Sequence, residues 1–330
     1  MTISISQLAK HVDFPEVIRE TAKDIADVKI QGATNVAISS INAVLKWLSE
    51  VVSEQKGQVE SSKILTQALF YLEFLANVRP NEPLARNGYM FIKSQVQEQA
   101  AYLTGRKLLN AFKKLAEKYL KILKDAKEQI VKKNLEFVKD ARIIFTHCHS
   151  STAEKLIIAA NNYAPKKVIS TETRPLYQGR ITATNLLNAG VETIMIVDSA
   201  APGFIADDRI LPVDVVLIGA DEISTYGDAI NKIGSYAIGL ASHYAQKPLY
   251  VVTPLLKLHY ETMYQLPAIE QRPASEVWED APKGLMIINP AFEFVPRTFI
   301  KGFLTEVGFV LPEEVEKKAL ELYPWIKAGF

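Results

Sequence analysis

Apolar residues recur at every third or fourth position through the first part of the chain, and after about residue 137 they gather into short continuous runs. The first spacing is that of amphipathic helices, and it predicts helices over residues 35–53, 61–78 and 84–133. The N-terminal part of the chain is therefore predicted to be a helical bundle.

The later part of the chain alternates short apolar runs with stretches of helical periodicity. The runs predict strands at residues 142–146, 167–171, 192–197, 213–218, 248–252 and 285–288. Such alternation is typical of a mainly parallel sheet with helices on both faces. We therefore predict an α/β protein with a helical N-terminal domain over residues 1–136 and a Rossmann-like domain over residues 137–330.

The charges are balanced, because 38 Lys and Arg residues against 37 Asp and Glu residues leave a net charge of +1. A chain without a basic excess is not expected to bind nucleic acid as its main task. The lysines of residues 106–139 stand between apolar residues at helical spacing. Their simplest interpretation is the solvated face of a helix.

The N-terminus lacks the charged, apolar and small-residue order of a signal peptide, and no apolar run is expected to reach the roughly 18 residues that a membrane span needs. Cys148 is the only cysteine, so an internal disulfide is excluded. These features favour a cytoplasmic protein that does not enter a membrane.

Two ionisable residues follow predicted strands. Cys148 comes after the strand at 142–146 and Asp221 after the strand at 213–218. Ligands of open parallel sheets bind at this carboxyl edge, where a thiol and a carboxyl group could act as an acid/base pair. The alternative is that Cys148 is a small buried apolar residue.

Cofactor and metal sites have little support in the sequence. His147 and His149 would share one face of a strand, but no third ligand stands at a recognisable spacing from them. The glycine-rich loops that bind dinucleotides or nucleoside triphosphates are absent. We therefore predict no metal and no cofactor.

Other polar residues near strand ends are suited to a phosphorylated ligand. Arg174 could hold a phosphate or carboxylate in a bidentate pair, or could equally form a structural salt bridge. Asn231 and Lys232 could meet a sugar hydroxyl and a phosphate, and the backbone amides of the helix that follows them could complete an anion site.

Five segments resemble one superfamily in sequence and in order. They are residues 146–150 (THCHS), 172–179 (ETRP followed by QG), 219–221 (GAD), 231–234 (NKIG) and 289–292 (NPAF), with 30–33 (IQGA) and 79–81 (RPN) in the helical part. The superfamily groups ribose-1,5-bisphosphate isomerases, methylthioribose-1-phosphate isomerases and the regulatory α, β and δ subunits of initiation factor 2B. The resemblance covers nearly the whole chain.

The resemblance implies a set of site residues. The catalytic pair would be Cys148 and Asp221. The residues that would bind substrate are Gln31, Gly32, Ala33, Arg79, Ser150, Arg174, Gln178, Asn231, Lys232 and Lys257. In the implied reaction Asp221 protonates the ring oxygen of a sugar 1-phosphate and Cys148, as thiolate, removes the proton at carbon 2. The reverse assignment of acid and base stays open.

Within the superfamily, Cys148 and Asp221 favour an isomerase, with ribose 1,5-bisphosphate as the expected substrate and methylthioribose 1-phosphate as the alternative. Gln31 stands where both isomerases usually have arginine, Tyr226 where asparagine is common, and His149 where methylthioribose-phosphate isomerases usually have asparagine. Together these departures concern the second phosphate and so the exact substrate. Gln31 and Tyr226 also fit a non-catalytic regulator that docks on initiation factor 2. The family further implies a homo-oligomer, either a dimer or a hexamer.

Overall fold

The computed structural model describes residues 14–54, 61–79, 81–96 and 105–327. Packing divides the chain into two compact units, Met1–Leu123 with Tyr323–Phe330, and Lys124–Leu322. The division lies within a long helix, N-terminal to the domain boundary predicted after residue 136. Residues from Tyr323 onward group with the helical unit, where the ring of Trp325 packs 5.0 Å from that of Phe91.

Helices form the first unit, as the spacing of apolar residues predicts. Their bounds are α1 Glu16–Ala26, α2 Ala33–Glu54, α3 Ser61–Ala76, α4 Pro83–Val96 and α5 Gly105–Asn134, and α5 continues into the second unit. The predicted stretch 84–133 corresponds to α4 and α5, with residues 97–104 outside the described part. The sequence analysis missed α1, although Ile18, Ala22 and Ile25 recur at helical spacing and are buried.

Helix α2 is long and apolar enough over Ala33–Ser53 to cross a membrane, by length and composition alone. No such segment was expected from the sequence, and this helix meets the length and composition even though Lys46 and Glu50 lie within it. The buried positions Val36, Ile41 and Leu48 give α2 one inward face, against which α1, α3 and α4 pack. This packing is that of a core helix in a helical bundle.

The second unit is built on a seven-stranded sheet in the order β11-β10-β7-β4-β1-β2-β3. The strands are β1 Ile143–His147, β2 Lys167–Thr171, β3 Glu192–Ile196, β4 Val215–Ile218, β7 Leu249–Val252, β10 Gly302–Thr305 and β11 Gly308–Val310. Every pairing is parallel except that of β10 with β11. The α/β class and the mainly parallel sheet are therefore confirmed.

Five of the predicted strands correspond to β1, β2, β3, β4 and β7. The sixth prediction, residues 285–288, is wrong: this segment is a loop in which Leu285, Met286 and Ile288 are exposed. The last strands of the sheet are instead β10 and β11, and the apolar pair Phe303 and Leu304 in β10 is fully buried.

A second, four-stranded sheet has the order β8-β5-β6-β9. Its strands are β5 Glu222–Ser224, β6 Ala229–Lys232, β8 Leu258–His259 and β9 Phe292–Val295. Strand β5 begins directly after Asp221, and β6 ends at Lys232. This small sheet therefore fixes the backbone next to two predicted site residues.

The helices of the second unit are α6 Ser151–Tyr163, α7 Gln178–Asn188, α8 Ala201–Ala206, α9 Ser235–Tyr244 and α10 Val315–Leu322. Helix α6 leaves the end of β1 and buries Leu156, Ile157 and Ala160 in the core of the unit, together with Ile144 of β1 and Leu217 of β4. The start of α6 is thereby held close to the carboxyl ends of these two strands.

Candidate active site

The predicted catalytic pair follows two neighbouring strands. Strands β1 and β4 pair in parallel, with His147 beside Ile218, and Cys148 and Asp221 come just after them. Chain order runs outward from β1 through β2 to β3 on one side and from β4 to β7 on the other. The pair thus lies at the point where strand order reverses, which is the usual ligand site of such sheets.

At this edge of the sheet, the backbone at Gly219 lies very close to Ser150. A Cβ atom on Gly219, which follows β4, would lie 2.7 Å from Cβ of Ser150. Ser150 caps α6 by accepting a hydrogen bond from the backbone N–H of Ala153 at 3.3 Å. The bare backbone at Gly219 therefore lets the chain leading to Asp221 pass directly beside the loop that carries Cys148.

Cys148 has a left-handed backbone conformation, with φ of +64°. Such a conformation is uncommon for a residue with a Cβ and clusters at functional sites. Two threonine hydroxyls hold it in place. Thr173 Oγ1 accepts from the N–H of Cys148 at 3.0 Å, and Thr182 Oγ1 donates to its carbonyl oxygen at 2.9 Å.

The pKa of the Cys148 thiol is raised to about 12, mainly by burial; the nearby ammonium of Lys232 lowers it and the charge of Asp221 adds to the rise. In the unliganded protein Cys148 is therefore a thiol. Lys232 is the group that favours its loss of a proton.

His147 connects neighbouring segments at the carboxyl edge of the sheet through its two ring nitrogens. Its Nδ1 lies 2.6 Å from Thr171 Oγ1, and its Nε2 lies 2.9 Å from the carbonyl oxygen of Ile233. Because a carbonyl only accepts, we assign the proton to Nε2, and Thr171 then donates to Nδ1. Burial lowers the pKa of His147 to about 4. The ring is neutral, and both of its nitrogens are occupied.

The second histidine is also engaged, since His149 Nδ1 lies 3.0 Å from Thr182 Oγ1 and 3.5 Å from Glu154 Oε2. Burial lowers its pKa. Among the residues that the structure describes, no three His, Cys, Asp or Glu side chains gather into a group that could hold a metal ion.

Lys232 and Asn231 lie at the end of β6 and are both buried. Lys232 Nζ lies 5.1 Å from the ring centre of Phe292, and its charge acts on Cys148 and His147. No carboxylate of the described chain forms an ion pair with it. A buried ammonium of this kind favours an anionic ligand.

Helix α9, which follows Lys232 in the chain, does not provide the anion site that was predicted from the sequence. Glu293 Oε1 accepts from the N–H groups of Gly234 at 2.6 Å and Tyr236 at 2.7 Å. The start of α9 is thus already occupied by a carboxylate, so that prediction is wrong. Gly234 has φ of +106°, and a Cβ there would lie 2.9 Å from Cε1 of His147.

Arg174 and Gln178 follow β2. The Arg174 guanidinium donates to Tyr177 Oη at 2.6 Å and to the carbonyl oxygen of Val277 at 3.0 Å, while Asp198 accepts from its backbone N–H at 2.6 Å. Gln178 Oε1 is buried and has no hydrogen-bond partner in the described structure. An unpaired buried acceptor is costly, so it suits a ligand that brings a donor such as a hydroxyl group.

Lys257 lies beside the predicted acid, because its Nζ donates to the carbonyl oxygen of Ala220, the residue before Asp221. This contact places Lys257 at the carboxyl edge of the sheet with the other predicted residues of the unit. The side chain is partly buried, so Lys257 is not simply a solvated surface charge.

The remaining predicted residues belong to the helical unit. Gln31 and Gly32 are exposed just before α2, and Ala33 begins that helix. Arg79 is buried and forms an ion pair with Glu82 at 2.9 Å. Their part in binding a ligand stays a prediction.

Sequence reasoning missed Lys127. It was included with the solvated lysines of residues 106–139, but its Nζ donates to Ser151 Oγ at 3.1 Å at the start of α6. Burial, followed by the charges of Lys257 and Lys155, lowers its pKa to about 8. The signal was the phase of the helix, because Lys127 falls between the buried residues Leu123 and Ile130 at helical spacing.

Residues 29–312 match the initiation factor 2 subunit family. The chain is 32% identical to ribose 1,5-bisphosphate isomerase of Archaeoglobus fulgidus, over 90% of this chain and 91% of that protein. It is 28% identical to methylthioribose-1-phosphate isomerase of Neosartorya fischeri, over 87% of this chain and 84% of that protein.

Among solved structures, the chain resembles the translation initiation factor eIF-2B of Pyrococcus horikoshii. The TM-score is 0.74 at 27% identity, and the match covers 91% of this chain and 98% of that one. Both the sequence and the fold therefore agree with the resemblance that the motifs indicate.

Proposed function

Since the chain belongs to the initiation factor 2 subunit family and is a sugar-phosphate isomerase within it, we propose that it converts ribose 1,5-bisphosphate into ribulose 1,5-bisphosphate. The observation that carries the proposal is the position of Cys148 and Asp221 at adjoining strand ends, with the buried ammonium of Lys232 acting on the thiol. A proton-transfer pair beside an unpaired cation suits a phosphorylated sugar.

The chemistry follows from the substrate. An esterified anomeric oxygen prevents the sugar from opening to a free aldehyde, so the ring must open by cleavage of the bond between carbon 1 and the ring oxygen. Asp221 gives a proton to that oxygen, and Cys148 as thiolate takes the proton from carbon 2. The product of these two transfers is an enol phosphate.

The ketose then forms by the return of both protons. The Cys148 thiol protonates carbon 1, and the Asp221 carboxylate takes the proton from the hydroxyl on carbon 2, which becomes the carbonyl. Both groups end in their starting states, and each transfer typically contributes about 10²–10⁴-fold. Because resting Cys148 is a thiol, it must first lose its proton to solvent water before the cycle starts from the thiolate, and Lys232 favours that loss.

The substrate-binding roles are divided by chemistry. Lys232 and Arg174 supply positive charge for phosphate, and Ser150, Asn231 and the unpaired Gln178 Oε1 supply partners for hydroxyl groups.

The deciding experiment follows ribulose 1,5-bisphosphate formation by NMR in the parent protein and in the Cys148→Ser and Asp221→Asn variants. Turnover by the parent and its loss in both folded variants is the expected result. Asp208→Asn is the matched control, since Asp208 is exposed and pairs with Lys247. An inactive parent would be tested next with methylthioribose 1-phosphate.

The second candidate is a regulatory protein that binds a sugar or nucleotide phosphate and docks on initiation factor 2. It is favoured by the likeness to an initiation factor structure and by Gln31 in place of arginine. Inactivity on both sugar phosphates, together with direct binding to initiation factor 2, would support it over the isomerase.

A homo-oligomer is part of the proposal. Tyr236, Leu240 and Tyr244 are spaced four apart on α9, and their exposed fractions are 43%, 47% and 82%. An apolar stripe of this kind suits a face covered by a second copy of the chain. Light scattering after size exclusion would give the mass, and a monomer at micromolar concentration would contradict this part of the proposal.

A further inference from the structure

A cluster of cations lies beside the candidate active site and is not used by the catalytic pair. It consists of Lys127 of α5, Lys155 of α6 and Lys257 after β7. We propose that this cluster binds the second phosphate of a bisphosphate substrate and selects bisphosphates over sugar monophosphates. The inference rests on the proposed isomerase function and names the group that Lys127 recognises.

Lys127 is the centre of the cluster. Its side chain is partly buried and points to the start of α6, where Nζ donates to Ser151 Oγ at 3.1 Å. Within the described structure no carboxylate pairs with it. The exposed lysines of the same helix behave differently, since Lys113 and Lys124 stand 4.0 Å from Glu117 and Glu128. Burial without a counter-ion is unfavourable for an ammonium group unless a ligand supplies the charge.

The neighbouring charges are also positive. Lys257 and Lys155 both repel the charge of Lys127, and Lys127 in turn opposes protonation of His149. Glu154, which also acts on His149, accepts from Asn185 Nδ2 at 3.0 Å and lies 3.5 Å from His149 Nδ1. Lys127 thus has positive neighbours and no carboxylate partner in the described structure, and an anion would neutralise this excess of positive charge.

The cluster is separate from the cation that acts on the thiol. Lys232 of β6 affects the pKa of Cys148 and of His147, whereas Lys127 of α5 affects that of His149. Both groups nevertheless adjoin the catalytic residues, because Ser151 follows Cys148 by one short loop and Lys257 holds the residue before Asp221. Two cation groups flanking one acid/base pair fit a sugar that carries a phosphate at each end.

The same arrangement explains how a substrate with a single phosphate is disfavoured. A neutral group placed against the cluster would displace water from the lysines and offer them no charge in return. Discrimination by this means does not depend on an arginine at position 31, which this chain lacks.

Calorimetric binding of ribose 1,5-bisphosphate and of ribose 1-phosphate tests the proposal in the parent, Lys127→Gln and Lys124→Gln. Lys124 is the matched control, because it lies on the same helix and its side chain is 78% exposed. We expect Lys127→Gln to weaken bisphosphate binding by about 10-fold or more and to leave ribose 1-phosphate binding unchanged, as for a lost charged hydrogen bond. Lys124→Gln should bind both ligands like the parent.

The outcomes separate this inference from the isomerase proposal. A parent that prefers the bisphosphate, and loses the preference with Lys127→Gln, supports the cluster whether or not it turns substrate over. A parent with no such preference, or an equal loss for both ligands in Lys127→Gln, would overturn it. A thermal unfolding curve for each variant ensures that weakened binding is not loss of fold.

Discussion

The hydroxyl of Thr182 donates to the carbonyl oxygen of Cys148 over 2.9 Å, and Thr182 Oγ1 also lies 3.0 Å from His149 Nδ1. Thr182 of α7 thereby holds the peptide carbonyl that follows the thiol and the side chain of His149. Thr173 holds the N–H of Cys148 from the opposite side of the loop. Together the two threonines keep Cys148 in a left-handed conformation that it would not favour by itself.

Replacement of Thr182 should therefore impair catalysis more than binding. Thr182→Val keeps the shape and removes the hydrogen bonds, so we expect kcat to fall by about 10–100-fold with little change in KM, as small misplacement of a reacting group does. Thr182→Ser should recover most of the rate. Equal activity of the Val and Ser variants would show that the hydroxyl does not position Cys148.

Alkylation of Cys148 should report its raised pKa. Since the pKa is about 12, the thiolate fraction and hence the rate with iodoacetamide should rise about 10-fold per pH unit from pH 7 to 10 without levelling off. In the urea-unfolded chain the rate should level off above about pH 8.5. Lys232→Met should slow the folded reaction further, because Lys232 lowers the pKa of the thiol. A plateau below pH 9 in the folded parent would contradict this prediction.

The stability of the protein should depend on the protonation of His147. Its pKa is about 4 when folded, against 6.5 as the reference value. Between these values the unfolded chain binds more protons, so the free energy of unfolding rises with pH over this window and the contribution is lost as pH falls from 6.5 to about 4. At 1.36 kcal/mol per pKa unit, the contribution is on the order of 3 kcal/mol.

Urea unfolding at pH 7 and pH 5 measures this effect. We expect the parent to lose more stability between the two pH values than His147→Gln, whose amide can replace the hydrogen bonds of the ring and does not titrate. The same loss in both proteins would assign the pH dependence to other groups.

A methyl group at position 219 should disturb the site. Gly219→Ala places a Cβ 2.7 Å from Cβ of Ser150, so the loop carrying Cys148 must move. We expect destabilisation by about 1–3 kcal/mol and a larger proportional loss of activity. Gly203→Ala on α8 is the control, since nothing lies within 4 Å of the added atom and little change is expected. Full activity of Gly219→Ala would show that this close approach is dispensable.

Sequence alone was sufficient for the central part of the sheet. Strands β1, β2 and β4 are buried on both faces, so in the sequence they appear as continuous apolar runs that end at polar residues. The ionisable residues that follow β1 and β4 are Cys148 and Asp221, which could therefore be predicted as site residues. The strand predicted at 285–288 was wrong because a run of four apolar residues does not by itself show whether these side chains are buried. In the structure its side chains are exposed.

The contacts of polar side chains were not predictable in the same way. Glu293 occupies the start of α9 from a strand far away in the sequence, and no local pattern announces it. Lys127 differs from Lys124 only by its angle around α5 and by the helix that lies against it. The spacing of apolar residues predicts which face of a single helix or strand is buried. The roles of Glu293 and Lys127 depend instead on which elements pack against each other.

The protonated state of the only cysteine has a consequence for the durability of the protein. Peroxides attack thiolates, and their reaction with a neutral thiol is slow. A chain whose sole sulfhydryl group rests in the neutral form is therefore protected against oxidation while its site is empty. The burial that slows deprotonation of Cys148 thus also preserves the residue between turnovers.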